Sequence, residues 1–257
     1  MSSPEFEFAI ETNGLTKDFR DLRAVNALNL RVPRGCFFGF LGPNGAGKST
    51  TIKMLTGLLA PSAGTIRLLG IDFANDALEV KRRVGVVPEE LCLFENLTGR
   101  EYLIFIGRMY GLELDVVESR TEELFTLLNL DAEDKRIAEF SHGMKKKVAL
   151  SAALIHDPQL LFLDEPFEGI DAVTSRVIRD TLGRLTTRGV TIFLTSHILE
   201  IVEKLCSHVG IIRLGQLIAE GPMDELSADG SLETAFIAAV SEPETEAPQL
   251  SWLEDSA

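Results

Sequence analysis

Apolar residues fall along this chain in two rhythms. Short runs rich in β-branched and aromatic side chains recur at Ala24–Val32, Cys36–Leu41, Thr65–Gly70 and Val84–Val87, and again at Leu160–Leu163, Val190–Thr195 and Val209–Leu214. Runs of this length and makeup predict strands. The continuous apolarity of Leu160–Leu163 and Val190–Thr195 predicts parallel strands buried on both faces. Each run is separated from the one before it by room for a helix or a connection, the alternation of an α/β fold. Between about 91 and 157 the rhythm changes. Leu, Ile, Phe and Glu repeat at helical spacing through REYLIFIGRMYG and VVESRTEELFTLLNL, which predicts an inserted helical block.

Three stretches at the ends of these runs carry candidate chemistry. CFFGFLGPNGAGKST sets Gly42 four residues before Gly47-Lys48-Ser49, between an apolar run and a helix predicted over Thr50–Leu59. Glycines 42, 45 and 47 let the backbone curl and aim successive N–H groups at phosphate oxygens, with Pro43, Asn44 and Ala46 completing the loop. Lys48 is expected to reach the β and γ phosphates of a nucleotide, Ser49 to offer its hydroxyl to Mg2+, and Thr50 to sit near the α phosphate. LLFLDEP ends a strand in two carboxylates, which would put Asp164 near the metal and free Glu165 to activate water as a general base. TSH ends another strand and supplies His197, able to hydrogen-bond the γ phosphate. A glycine-rich turn, a solvated acidic loop and a structural histidine are the bland alternatives.

Composition narrows the partners. Lys and Arg total 25 against 39 Asp and Glu, a net charge of −14 that repels a phosphate backbone and argues against nucleic acid. The longest apolar runs fall far short of the roughly 20 residues that cross a bilayer. The opening MSSPEFEFAIE lacks the basic start and apolar stretch of a signal peptide, so a cytosolic chain is expected. Cys36, Cys92 and Cys206 have no ligand spacing and read as reduced, buried small apolar residues. Residues 241–257, SEPETEAPQLSWLEDSA, read as a flexible acidic tail behind a domain spanning 1–240, with Leu250, Trp252 and Leu253 as a small apolar cluster.

With these pieces in order, the sequence resembles the ATPase subunits of ABC transporters, from about residue 8 to residue 226. The diagnostic stretch is FSHGMKKKV, residues 140–148, similar to the family's signature segment usually written LSGGQ. The resemblance implies a P-loop NTPase fold of the ABC ATPase type: an α/β, RecA-like mixed sheet core, an antiparallel β subdomain and an inserted α-helical subdomain. It implies that Ser141 and Gly143 touch the γ phosphate of ATP held by a facing subunit, so that two ATP molecules join a head-to-tail dimer with a second, identical subunit. His142 and Met144 depart from the commonest Gly and Gln, giving an SHGM pattern associated with exporters of drugs, antibiotics or polysaccharides. Read without the resemblance, Ser141 followed by Lys145–Lys147 is a helix cap and an exposed basic turn.

By the same resemblance Phe19 stacks on adenine, unless it is core, and Asp171 in EGID reports to the opposite site. Glu89 stands where the family usually has Gln and is taken as a further Mg2+ ligand, unless it faces solvent. The function implied is Mg2+-dependent ATP hydrolysis that powers an exporter through dimer closure on a separate transmembrane partner, at the cytoplasmic face of the membrane. A strand pair followed by a short helix near Met223–Leu226 also resembles exporter subunits. The alternative is a soluble ABC ATPase acting on a non-transport assembly. A nucleotide sensor without turnover would lack Glu165 or His197, and both are present.

Overall fold

The computed structural model describes residues 6–130, 135–227 and 230–240, so the acidic stretch 241–257 lies outside the described residues. First come β1 (Phe8–Phe19), β2 (Leu22–Leu28), β3 (Arg31–Pro33), β4 (Phe37–Leu41), α1 (Lys48–Leu55), β5 (Ala63–Leu68) and β6 (Ile71–Asp72). Next are α2 (Ala77–Arg82), β7 (Val84–Val87), α3 (Gly99–Met109), α4 (Leu114–Leu127), a 3-10 turn at Ile137–Glu139 and α5 (His142–Leu154). Then follow β8 (Leu160–Asp164), α6 (Ala172–Thr187), β9 (Thr191–Thr195), α7 (Leu199–Leu205), β10 (His208–Arg213), β11 (Gln216–Pro222), α8 (Met223–Leu226) and α9 (Leu232–Val240).

The central sheet has six strands in the order β11-β10-β4-β9-β8-β7, parallel from β10 to β7, with β11 antiparallel at one edge. Every residue of β4, β8 and β9 is buried, as continuous apolar runs require of a sheet covered on both sides. Successive side chains point to opposite faces, so each strand feeds two cores. Phe38, Phe40, Phe162 and Phe193 form one, where Phe193 stacks on Phe38 with ring centroids 5.5 Å apart and meets Phe40 at 5.2 Å. Phe37, Leu161, Leu163, Ile192 and Leu194 form the other, against Leu150 of α5, Ile178 and Leu182 of α6 and Val202 of α7.

The first core is closed by an antiparallel sheet, β2-β1-β5-β6 with β3 also paired to β1. Here the structure departs from the strands predicted from sequence. The run Ala24–Val32 is two strands, β2 ending at Leu28 and β3 beginning at Arg31, and the Thr12 hydroxyl bridges the break, donating to Leu28 O at 2.9 Å and accepting from Leu30 N at 3.0 Å. The twelve-residue β1 was not among the predicted strands. Its Asn13-Gly14 pair interrupts the apolar alternation, and the ladder shifts register there, with Gly14 at φ 60°. The helix predicted over Thr50–Leu59 starts at Lys48 and stops at Leu55, ahead of Gly57 at φ 72°.

The inserted block builds a core of its own from Tyr102, Leu103, Phe125, Leu130, Ile137, Phe140 and Val148. A capping box starts α3: the Thr98 hydroxyl accepts from Glu101 N at 3.2 Å and Glu101 accepts from Thr98 N at 2.8 Å. Cys36 and Cys206 are buried, but Cys92 is exposed, because it lies on the link from β7 to α3 outside the sheet. Among the described residues no helix is long and apolar enough to cross a membrane.

His156 joins the block to the sheet. Its ring stacks on Tyr110 with centroids 3.7 Å apart, and its Nε2 lies 3.1 Å from Val84 O. Burial depresses its pKa to about 4. The folded chain therefore keeps this ring neutral while the unfolded chain takes up a proton near pH 6.5, so stability is full above pH 6.5 and falls as pH drops toward 4. Urea unfolding is expected to show a loss of roughly 2 kcal/mol between pH 7 and pH 5 from this residue. That component should be missing in His156→Phe, which keeps the stack.

Candidate nucleotide site

The site is assembled at the carboxyl ends of adjacent parallel strands. Pairing sets Phe40 against Thr195 and Thr195 against Asp164, so the ends of β4, β9 and β8 lie side by side, roughly 4.8 Å between neighbours. The glycine-rich loop leaves β4 and enters α1 through Gly47, whose φ of 108° suits glycine alone. A Cβ at Gly42 would come 2.4 Å from Ile212 O, and one at Gly47 2.6 Å from Ala24 O. Pro43, Asn44 and Gly45 are exposed at the rim, Ala46 is buried beneath them, and Ser49 and Thr50 are half-buried on the first turn. That turn has no side-chain cap and no acidic residue, so its N–H groups are left for an anion.

Lys48 crosses the loop, its Nζ donating to Gly42 O at 2.7 Å and to Pro43 O at 3.2 Å. Burial lowers its pKa, and the charges of Glu165, Asp164 and Glu89 push it back up. Asp164 is 4% exposed and accepts from the Thr195 hydroxyl at 2.5 Å. Glu165 N donates to the same hydroxyl at 3.1 Å, and its backbone has φ 48°, a left-handed conformation that non-glycine residues rarely adopt. The Glu165 carboxylate meets His197, with Nδ1 at 2.9 Å from Oε2 and the His197 N–H at 3.3 Å. Burial raises the Glu165 pKa, against the pull of His197 and Lys48. The His197 side chain is 53% exposed, so one face of this pair is open.

Ser141 caps α5, accepting from Met144 N at 3.2 Å. The exposed basic turn that Lys145–Lys147 suggested is not there. Lys145 pairs with Glu95 at 2.5 Å, while Lys146 and Lys147 are buried, because α5 lays that side against the sheet and the insertion. Gly143 is buried at a point where a Cβ would stand 3.3 Å from Thr174 Oγ1 and 3.6 Å from Asp171 Oδ2. Asp171 caps α6, accepting from Val173 N and Thr174 N at 2.9 Å each and from the Thr174 hydroxyl at 2.7 Å. The Thr174 contacts hold its pKa below the usual carboxylate range. Phe19 is 44% exposed at the end of β1, with Lys17 Nζ 5.1 Å from its ring centroid, so it is not a core residue.

Gly42 to Thr50, Asp164, Glu165 and His197 are therefore brought together, while Ser141, Gly143 and Asp171 form a second surface of the same chain. Glu89 is exposed just past β7, near enough for its charge to act on Lys48. Among the described residues no group of three or more His, Cys, Asp or Glu forms a metal cage. The donor set of one buried carboxylate, one hydroxyl and a nearby exposed carboxylate suits Mg2+, which keeps most of its positions for water and phosphate. The sequence reading missed Thr195, which stands two residues before His197 in the stretch already singled out.

Comparison with known proteins places the geometry. Residues 25–168 match the family described as ABC transporter. The chain is 40% identical over 221 residues to the daunorubicin/doxorubicin resistance ATP-binding protein DrrA of Streptomyces peucetius, covering 86% of this chain and 67% of that protein. It is 40% identical over 222 residues to the Nod factor export ATP-binding protein I of Rhizobium etli, covering 86% of this chain and 70% of that one. A solved structure of the ATP binding subunit of an ABC transporter superposes with a TM-score of 0.84 at 30% identity, covering 90% of this chain and 99% of its own.

Thr195 is the local keystone because one buried hydroxyl serves both carboxylate residues. Thr195→Val keeps the shape and removes the hydroxyl, leaving Asp164 short of its buried donor. We expect it to lower unfolding free energy by about 1–3 kcal/mol in urea.

Proposed function

This chain belongs to the ABC transporter family, and from that premise we propose that it is the ATP-binding and hydrolysing subunit of an exporter. It drives a separate transmembrane partner by ATP-dependent closure of a head-to-tail dimer of two copies, at the cytoplasmic face of the membrane. The observation that carries the hydrolytic part is the convergence of Lys48, the uncapped start of α1, Asp164 and the Glu165–His197 pair on three adjacent strand ends. The export part is supported by relatives whose names carry drug resistance and Nod factor export.

Each side chain then has a task. The loop from Gly42 to Thr50 wraps the phosphates with backbone N–H groups, Lys48 adds a positive charge that moves from Gly42 O to a phosphate oxygen, and exposed Phe19 offers a face to adenine. Mg2+, when bound, neutralises phosphate charge, with Ser49, Asp164 and Glu89 as the protein oxygens that would hold it. Glu165 accepts the proton of the attacking water, a role suited by a carboxylate whose pKa burial has raised. His197 fixes that carboxylate through Nδ1 and keeps Nε2 for a γ phosphate oxygen. Ser141, Gly143 and Asp171 meet the nucleotide of the facing copy.

The transmembrane partner is assigned to the groove between β7 and the helical insertion. A cavity of about 220 Å³ there is lined by Leu91, Cys92, Leu93, Tyr102, Ile106 and Tyr110, beside exposed Phe94 and Met109. Exposed aromatic and methionine side chains around an apolar hollow suit a protein partner.

Glu165→Gln should bind ATP and stop turning it over, trapping the closed dimer. Tagged and recovered from native cells in mild detergent, it is expected to bring down a polytopic membrane protein in stoichiometric amount. Recovery of soluble partners alone would put the non-transport ATPase in its place. Glu89→Gln exchanges a charged oxygen for a neutral one at the proposed metal site, so half-maximal ATP turnover should need roughly 2- to 5-fold more magnesium. An unchanged magnesium titration would take Glu89 out of the metal site.

A further inference from the structure

Lys146 has no part in the functions above, yet it is 2% exposed and lies against the hydrolytic site. Its Nζ donates to the carbonyl oxygen of Glu165 at 2.9 Å. Around its stem is an apolar slot of Val87, Leu150, Leu163, Pro166 and Ile178. A methionine-like chain would fill such a slot without the desolvation cost of an ammonium, so the charge or its hydrogen bond has a use beyond packing. Burial lowers the Lys146 pKa, while the carboxylates of Glu168, Glu165, Asp164 and Glu89 hold the charge on it.

The bond falls where the backbone most needs support. Glu165 sits at φ 48° between two anchors: its N–H is tied to Thr195 of β9, and its carbonyl is tied to Lys146 of α5. Rotating that peptide would swing the Glu165 side chain away from His197. Lys146 lies on the same helix as Ser141 and Gly143, about 7.5 Å along the axis from the cap. A helix of this length moves as a rigid body, so a pull at its amino end reaches Lys146.

We propose that Lys146 is a positioning residue for hydrolysis: it holds the Glu165 peptide so that the carboxylate is aimed at the attacking water, and it does so from the helix whose amino end meets the facing copy's nucleotide. One helix thereby links engagement of the partner's ATP to the aim of the chain's own base. This rests on the dimeric ATPase reading given above.

Steady-state ATP turnover of Lys146→Met and Lys146→Gln, with magnesium present, tests it. Misaiming a catalytic group by an ångström costs on the order of 10- to 100-fold, so Lys146→Met should lower kcat by that factor and leave the KM for ATP within about threefold. Lys146→Gln, which keeps an N–H donor, should retain more of kcat than Lys146→Met. Thermal unfolding of both should stay close to the parent, and Lys146→Met added to Glu165→Gln should still give an ATP-dependent dimer by gel filtration. A kcat within about fivefold of the parent for Lys146→Met overturns the proposal. So does equal loss in both variants, or a loss that tracks a fall in melting temperature or a rise in KM. If Glu165→Gln alone gives no dimer with ATP, the dimeric reading fails instead, and with it the link to the facing copy.

Discussion

Everything at the hydrolytic end depends on the register between β8 and β9. Asp164 pairs with Thr195, so a single hydroxyl reaches both the Asp164 carboxylate and the Glu165 N–H, and the next residues of each strand bring Glu165 and His197 together. A one-residue slip would turn every side chain of the strand to the other face and send the phenylalanine core toward the helices. The register is fixed far from the site by that core, where Phe162 packs its edge against Phe193 with centroids 5.5 Å apart. Hydrophobic packing is thus what sets the distance between Glu165 and His197, since buried side chains at near-crystalline density leave a strand no room to shift.

The second constraint is electrostatic. Two mostly buried lysines, Lys48 on α1 and Lys146 on α5, face Glu89, Asp164 and Glu165, and Lys146 also feels Glu168. Neither lysine forms an ion pair by direct contact in this state; each donates to backbone carbonyls instead. Such bonds hold an ammonium without quenching its charge, so on the proposed reading Lys48 exchanges its carbonyls for a phosphate with little reorganisation. Lys146 has no such exchange open to it, because its slot is closed by Leu150, Leu163 and Ile178. In the proposed function one lysine is a ligand held in readiness and the other a fixed strut.

The sheet strands and the glycine-rich loop were legible because their signals are local: continuous apolar runs, and glycines at spacings that few other structures need. Asp164 and Glu165 were legible for the same reason, as the two carboxylates that end such a run. What stayed hidden depends on contacts distant in sequence. Nothing near Asn29 shows that Thr12 will bridge a break in the strand there, and nothing in KKK separates a solvated turn from one paired and two buried lysines. Thr195 is apolar-run material by pattern, and only its pairing with Asp164 makes it a keystone. Exposure of Phe19, at the end of β1, and of Cys92, on the link after β7, likewise follows from where they emerge and not from the residues themselves.

The helical insertion has its own core and also packs on the sheet, through Leu91, Leu93, Leu124, Leu128 and one side of α5. The stack of His156 on Tyr110 is one tie, at the far end of α5, and Lys146 on Glu165 is another, near the start. Between them Ala149, Leu150, Ala153 and Leu154 pack against the β7 and β8 side of the sheet, so closely that a Cβ at Gly85 of β7 would come 2.3 Å from Ala153 O. Apolar packing is non-directional, whereas the polar tie at Lys146 has one good geometry. Rotation of the insertion against the sheet would therefore be felt first at the Glu165 peptide, which sits in a conformation that its own residue type disfavours. A strained peptide held from a neighbouring helix responds to that helix, and on the proposed reading this places the sensitivity of the site at the carbonyl of Glu165.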